Sequence, residues 1–451
     1  MNKKRILLIS YHFPPSPAVG GLRIAGFARH LPFYGWEPCV LTIPENYVQN
    51  PDHDRLHGLK GLKILRAPTL PGMLQTYLKL KALYVSLMRG KKVSVSDLEY
   101  EYSMAGSNTI NKSNNTQKRL KNFLFSLLTL PDGERNWLIP GFLTALREIR
   151  RTGIKAILTS SPPHSVQLIG LLLKKLCNIY WIADFRDPWI NPTKKIDCRK
   201  NNFLVTIENI IENNVITNAD KVLTTNEMFT EALRDSYSQY DSKKFITLPN
   251  GYDSEPSGNP WKAEKYEPFT ITHTGTLYIG RTPEPVFSAV KSLISEQKIG
   301  KKDLRIKLVG FSDIVNGKPV KDISSKHGLD DVVELSGQVS YPKSLEIIRR
   351  SHLALLLAPN QPYQVPAKTF DYIGCGTPIL ALADHGATSR LIESTGTGKV
   401  YHPSDIEGIK TFIYESYKKR EFTAGITNNS RTQFERKNLV GTLAKVLDKA
   451  I

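Results

Sequence analysis

Short apolar runs recur along the chain, each closed by glycine, proline or a small polar residue. Arg5–Ser10, Pro38–Ile43, Ala156–Thr159, Tyr180–Ala183 and Lys221–Thr224 read as buried strands. Each is too short for a helix and rich in branched residues. Between them the apolar positions change to helical spacing. In Gly21–Leu31, Leu22, Ala25, Phe27 and Ala28 stand beside polar positions, and Gly35-Trp36 ends the pattern. A second series runs Phe269–Thr272, Arg305–Val309, Val332–Leu335, Leu353–Leu357 and Pro378–Leu382, after the turn-rich stretch Asn250–Pro260. Strands alternating with helices predict parallel sheets with helices on both faces. The expectation is an α/β chain of two doubly wound Rossmann-like domains, residues 1–255 and 256–430. Residues 431–451 are expected to form a C-terminal helix that packs back on the first domain.

The stretch from about Pro71 to Pro131 departs from this alternation. Leu74–Met88 and Lys118–Leu128 have the pattern of basic amphipathic helices, with Ser107–Gln117 as a polar spacer between them. Helices of that composition either lie in a membrane interface or pack an apolar face on their own domain.

Composition narrows the class. Over 451 residues, 40% are apolar and 23% charged, which is ordinary globular usage and excludes a disordered chain. No apolar run approaches the ~18 residues of a membrane span, and the N-terminus lacks the pattern of a signal peptide. The chain is expected to stay in the cytoplasm. Cys39, Cys177, Cys198 and Cys375 are too scattered for a zinc ribbon or a disulfide framework. The net charge is +19, and Arg55–Lys155 holds 18 Lys or Arg against 6 Asp or Glu. That concentration suits a polyanionic surface, either nucleic acid or an anionic membrane leaflet, or is simply a solvated basic face. Nucleic acid is not expected, because the basic runs follow no nucleic-acid-binding motif.

Ligands of parallel sheets bind beyond the carboxyl ends of the strands, and two facing domains would bring two such edges to one cleft. The residues following each strand are therefore the candidates. Gly20 and Gly21 open a helix after the first strand, where backbone amides can approach a phosphate or the glycine can simply permit a turn. His164 closes Thr159-Ser-Ser-Pro-Pro-His164, and Asp184, Arg186 and Asp187 follow the next strand. These charges fit either chemistry or a salt-bridge network. In the second series Gly275, Thr276, Arg281 and Gly310 stand after strands, and Lys368 and Asp371 share a helix face at three-residue spacing. A lysine there suits a diphosphate, and a carboxylate suits ribose hydroxyls. Asp52-His53-Asp54 matches a metal-binding Asp-x-Asp pattern but lies in a loop of the wrong domain, so no metal site is expected.

The segment Lys368-Thr-Phe-Asp371 through Gly-Cys-Gly-Thr-Pro378, with Ala387–Glu393, resembles the donor-binding half of family 4 retaining glycosyltransferases. Pro-Pro…Gly20-Gly21…Arg23, Ser-Pro-Pro-His164 and Asp184-Phe-Arg-Asp-Pro-Trp189 resemble a bacterial branch working on surface polysaccharides. The resemblance spans nearly the whole chain except about Pro71–Asn136. It implies the GT-B fold and transfer of a sugar from a nucleotide-diphosphate sugar to a lipid-linked or glycan acceptor, without a cofactor or metal. In its terms His164, Asp184 and Arg186 are catalytic. Gly20, Gly21, Gly275, Thr276, Arg281, Gly310, Lys368 and Asp371 bind the donor, and Arg23 and Asp187 meet the acceptor. The chain departs from the family's Glu-x7-Glu pair, with Tyr363 at the first position and Asp371 at the second. It also has Thr276 and Leu277 where the family places a diphosphate-clamping arginine, which leaves Arg281 and Lys368 for that task. A nucleotide-sugar epimerase of the same fold and a non-catalytic nucleotide-sugar or polyanion binder are the alternatives.

Overall fold

Thirteen of the strands fall into two sheets in which every neighbouring pair runs parallel. The computed structural model describes residues 4–72, 82, 84–87, 130–189, 202–253, 263–420 and 431–449. It forms two compact units, one of Met1–Thr224, Leu233–Thr247 and Leu443–Ile451, the other of Thr225–Ala232 and Leu248–Thr442. Most of the stretch from Pro71 to Pro131, with its basic flanks, lies outside the described residues, as does Cys198.

The first unit carries β1 (Lys4–Ile9), β2 (Trp36–Thr42), β3 (Lys63–Arg66), β4 (Ala156–Ser161), β5 (Tyr180–Phe185), β6 (Lys221–Thr224) and β7 (Phe245–Thr247) in the order β3-β2-β1-β4-β5-β6-β7. Every residue of β4 is buried, as expected of a strand covered on both faces. The edge strands β3 and β7 are short and only partly buried, so they lack the continuous apolar run by which the inner strands are read. The first helix spans Gly20–His30 and runs into a short 3-10 turn that ends at Gly35, whose φ of 79° is left-handed. At the chain's end, Asp448 accepts hydrogen bonds from Lys4 Nζ at 2.8 Å and Trp36 Nε1 at 3.0 Å.

In the second unit β8 (Phe269–Thr274), β9 (Leu304–Val309), β12 (Val333–Gly337), β13 (Leu353–Ala358), β14 (Ile379–Ala383) and β15 (Gly398–Tyr401) take the order β12-β9-β8-β13-β14-β15. A two-stranded antiparallel hairpin, β10 (Ile314–Val315) and β11 (Lys318–Pro319), stands apart from this sheet. Alternate residues of β13 feed two apolar cores. Leu353, Leu355 and Leu357 join one, while Ala354 and Leu356 join the other. In each sheet the strand order reverses once, between β1 and β4 and between β8 and β13. Those reversals open the crevices where ligands of such sheets bind.

Close packing is tightest where the helix Ser165–Cys177 crosses β5. A Cβ on Gly170 would stand 2.3 Å from Trp181 Cε2. The indole cannot retreat freely, because its Nε1 donates to Thr159 Oγ1 at 2.7 Å. Gly170→Ala is expected to destabilise the first unit by about 1–3 kcal/mol through overpacking. Urea unfolding followed by tryptophan fluorescence checks this, and an unchanged midpoint would mean that the ring yields without cost.

Candidate functional site

The second unit builds its site at the carboxyl ends of β8, β9 and β13. His273, at the end of β8, is buried, and its Nδ1 lies 2.9 Å from the carbonyl of Leu355. A carbonyl only accepts, so Nδ1 carries the proton and Nε2 is left as an acceptor. Lys368 Nζ donates to that Nε2 at 3.2 Å. Burial, with Lys368 and Arg281 nearby, holds the His273 imidazole neutral well below its ordinary titration range. Lys368 in turn is pushed down to about 7, chiefly by burial and then by Arg281, with Asp371 opposing. Arg281 stacks on the ring of Tyr278 at 5.0 Å, and burial lowers its pKa as well. Among the described residues no carboxylate forms an ion pair with either cation.

Glycine is required at two points beside them. Gly275 has φ of 106°, and a Cβ there would approach Lys368 Nζ to 2.8 Å. Gly310 has φ of 114°, and its Cβ would meet the Gly275 carbonyl at 2.8 Å. These are conformations that side chains rarely adopt, so both strand ends stay bare next to the lysine. The two loops are tied by Leu277 N donating to Phe311 O at 3.0 Å, and they leave Tyr278, Ile279 and Phe311 exposed at the rim. Thr276 lies half-buried in the same loop. The helix Lys368–Gly374 contributes little through its backbone, because the amides of Thr369 and Phe370 already donate to Pro366 and Ala367. The positive charge is that of the side chains. Asp371 accepts a hydrogen bond from Tyr341 Oη at 2.7 Å, and burial raises its carboxyl to about 6.

In the first unit the predicted residues separate into two groups. Arg23 and Asp184 pair with each other, Nε donating to Oδ2 at 3.0 Å and to Oδ1 at 3.2 Å and Nη2 to Oδ1 at 2.8 Å, with side chains 4% and 0% exposed. Ser160 Oγ donates to Asp184 Oδ2 at 2.7 Å, and Gln167 Nε2 donates to the Asp184 carbonyl at 3.0 Å. Here the salt-bridge alternative holds. Asp184 is the buried counter-ion of Arg23, a structural role that stands beside the catalytic Asp184 and acceptor-binding Arg23 expected from the sequence. The Gly21 amide donates to Ala18 O at 3.1 Å. A Cβ on Gly21 would stand 3.1 Å from the Phe13 backbone, so its role is close packing.

Arg186 and His164 form the second group. The Arg186 guanidinium lies over the start of the first helix, where a Cβ on Gly20 would fall 1.8 Å from its Nη1. Arg186 Nε donates to Ser161 O at 3.1 Å and Nη2 to the Pro162 carbonyl, and burial lowers its pKa. Asp187 stands close enough to oppose that shift. His12, beside Arg186, is lowered to about 4 by burial and by that charge. His164 is 8% exposed and stacks on Trp189 with ring centroids 4.7 Å apart. Sequence reasoning missed what seats it. Asp132 Oδ2 accepts the Ser165 amide at 2.7 Å, anchoring the helix that begins beside His164. A carboxylate before an apolar helix was the available signal, but its partner lies 33 residues away. His273 and Tyr341 were missed in the same way, because their partners come from other elements. The Asp52-His53-Asp54 triplet spends Asp52 on Arg55 at 3.0 Å and His53 on Glu45 at 3.2 Å.

Two Rossmann-like parallel-sheet domains of seven and six strands define the GT-B fold, and solved structures with it match this chain end to end. Anabaena Alr3699/HepE in complex with UDP superposes with a TM-score of 0.62 at 13% identity, covering 99% of this chain and 100% of that one. Sucrose-phosphate synthase from Thermosynechococcus elongatus gives 0.60 at 14% identity over 99% of each chain. The lipopolysaccharide outer core galactosyltransferase WaaB in its apo form gives 0.57 at 12% identity, over 99% and 100%. No protein-family model and no curated protein sequence matches the chain.

Removing one partner of the buried pair tests its structural role. Asp184→Ala is expected to lower stability by about 3–5 kcal/mol, because Arg23 loses the carboxylate that offsets its burial. Chemical unfolding measures it. Full stability with turnover abolished would leave Asp184 to the reaction alone.

Proposed function

We propose that the chain is a retaining glycosyltransferase of the family 4 type. It moves a sugar from a nucleotide-diphosphate sugar to a lipid-linked or glycan acceptor in cell-surface glycan synthesis, at the cytoplasmic face of the membrane. The observation that carries the reading is the pair Lys368 and Arg281. Two partly buried cations share a strand-end crevice; burial lowers the pKa of both, and Arg281 lowers that of Lys368 further. A diphosphate placed beside them would relieve that repulsion and accept charge-assisted hydrogen bonds. The Anabaena neighbour's complexes with UDP and with UDP-glucose support a nucleotide-sugar ligand.

The chemistry follows from where charge develops. Breaking the sugar–phosphate bond builds negative charge on the leaving diphosphate and positive charge on the anomeric carbon. Preorganised cations aimed at the diphosphate favour the transition state over the ground state. Gly275 and Gly310 keep the approach open, and Lys368 and Arg281 supply the charge that a metal supplies in other transferases. Asp371, steadied by Tyr341, accepts ribose hydroxyls through its second oxygen. The departing phosphate takes the acceptor proton on the same face as the attack, which accounts for retention. His164 and Arg186 act on the acceptor side, and Gly20 and Asp187 complete their surroundings. Transfer is therefore expected to persist in EDTA, and a complete, metal-reversible loss would count against the proposal.

Two measurements test the donor site. Lys368→Met should weaken binding of a nucleoside diphosphate by roughly 1.5–3 kcal/mol, the value of a hydrogen bond to a charged group. A pH effect gives an independent check. Lys368 titrates near 7 in the free protein, and a bound diphosphate raises that value. At pH 8 the mostly neutral amine must therefore take up a proton on binding, and at pH 6 it is already charged. Calorimetry in buffers of different ionisation enthalpy should show uptake at pH 8 that vanishes in Lys368→Met. No uptake in the parent protein would remove Lys368 from the diphosphate. A radiolabelled donor then separates transfer from epimer formation.

A further inference from the structure

We infer that the solvent side of the helix pair Leu138–Thr152 and Ser165–Cys177 is a docking surface for an anionic lipid bilayer. The inference deepens the reading of a lipid-linked acceptor and rests on it. The two helices approach closely, with a Cβ on Gly141 falling 2.8 Å from Ile169 Cδ1. Their inner faces bury Ala145, Ile149, Val166, Ile169 and Leu173 in the first unit. That satisfies the core, yet large apolar side chains also stand on the outer side. Ile139, Leu143, Leu172 and Leu176 are 40–56% exposed, and each pair is spaced by one helical turn. The neighbouring helix Asn202–Asn218, packed beside Ser165–Cys177, adds Phe203 and Ile210. Apolar side chains gathered on adjacent helices mark an interaction surface where scattered ones would not.

Charge selects the occupant. Arg147, Arg150 and Lys175 are exposed among these leucines, and the one acid of the two helices, Glu148, is buried against Lys63 and Arg151. The face is therefore apolar and basic with no exposed carboxylate. Lysine and arginine reach toward headgroup phosphates while leucines enter the boundary with the acyl chains. A second copy fits poorly, because a two-fold contact would set these cations against their own images. No helix among the described residues is long and apolar enough to cross a membrane, so the contact is peripheral.

Vesicle flotation of the full chain tests this, with phosphatidylglycerol–phosphatidylethanolamine vesicles set against phosphatidylcholine alone. The parent should float with the anionic vesicles at low salt. Replacing Arg147, Arg150 and Lys175 together by Ser should lower partition on the order of 100-fold, from about 1 kcal/mol for each charge. Leu143→Glu with Leu176→Glu should abolish it, and both sites are exposed enough to leave circular dichroism and melting unchanged. Parent binding that neither variant alters would move the contact to another surface, such as the basic stretch Lys118–Leu128, and overturn the assignment. No parent binding, equal binding to neutral vesicles, or self-association that Leu143→Glu disrupts would overturn it as well. Nucleoside diphosphate affinity in solution, measured in parallel, separates failure of this surface from failure of the donor site.

Discussion

Parallel strand pairing is the constraint from which the rest follows. A parallel neighbour can be reached only by a crossover, so each strand must be followed by a connection, usually a helix, that returns along the sheet. All carboxyl ends then gather on one edge, and the single reversal of strand order leaves a crevice there. In the second unit that geometry gathers His273 and Gly275, Gly310, and Lys368, which belong to three separate stretches of sequence. No local preference of these residues would assemble them. Their meeting is a consequence of which way the strands run.

The two units use charge at that edge in opposite ways. In the first, Arg23 and Asp184 cancel one another in a nearly dry interior, and Ser160 takes up the remaining capacity of the carboxylate. Such a pair is a weak source of net stability, because desolvation offsets most of its attraction. It does fix the first helix against β5, and Arg186 is aimed from the residue two places beyond. In the second unit Lys368 and Arg281 have no carboxylate ion-paired to them among the described residues, and burial lowers the pKa of both. A folded protein accepts that arrangement only because a large apolar core lies beneath it. Unbalanced charge in a crevice above an apolar core marks a candidate binding site.

How much of this was legible in the sequence depended on burial. Strands β4, β8 and β13 are covered on both faces and read as continuous apolar runs, so they were found without difficulty. β3, β7 and β15 lie at or near sheet edges, pack on one side only, and carry lysine or threonine where an inner strand would carry valine. Gly275, Gly310 and Lys368 were legible because bare glycines and a lone lysine after strands have little use in packing. Arg23 and Asp184 were singled out by the same rule, which could not show that they pair. Their pairing spans 161 residues, and no local pattern announces it. His273 was not singled out, since nothing beside it in the sequence announces its lysine partner 95 residues away.

That histidine explains why the lysine can be held in place and still serve a ligand. A carboxylate at position 273 would fix Lys368 firmly but cancel the charge a diphosphate needs. A second cation would repel it. An apolar residue would leave the ammonium to choose its own rotamer and lengthen the search for the ligand. A neutral imidazole, locked in one tautomer by the Leu355 carbonyl, presents a single lone pair at 3.2 Å and takes no charge away. Its buried position keeps it neutral through the physiological range, and the nearby cations reinforce this. Lys368 is thus oriented by a dipole and left electrostatically unspent. Under the proposed function, that combination would let the cation discriminate between a donor diphosphate and the more negative leaving group it becomes.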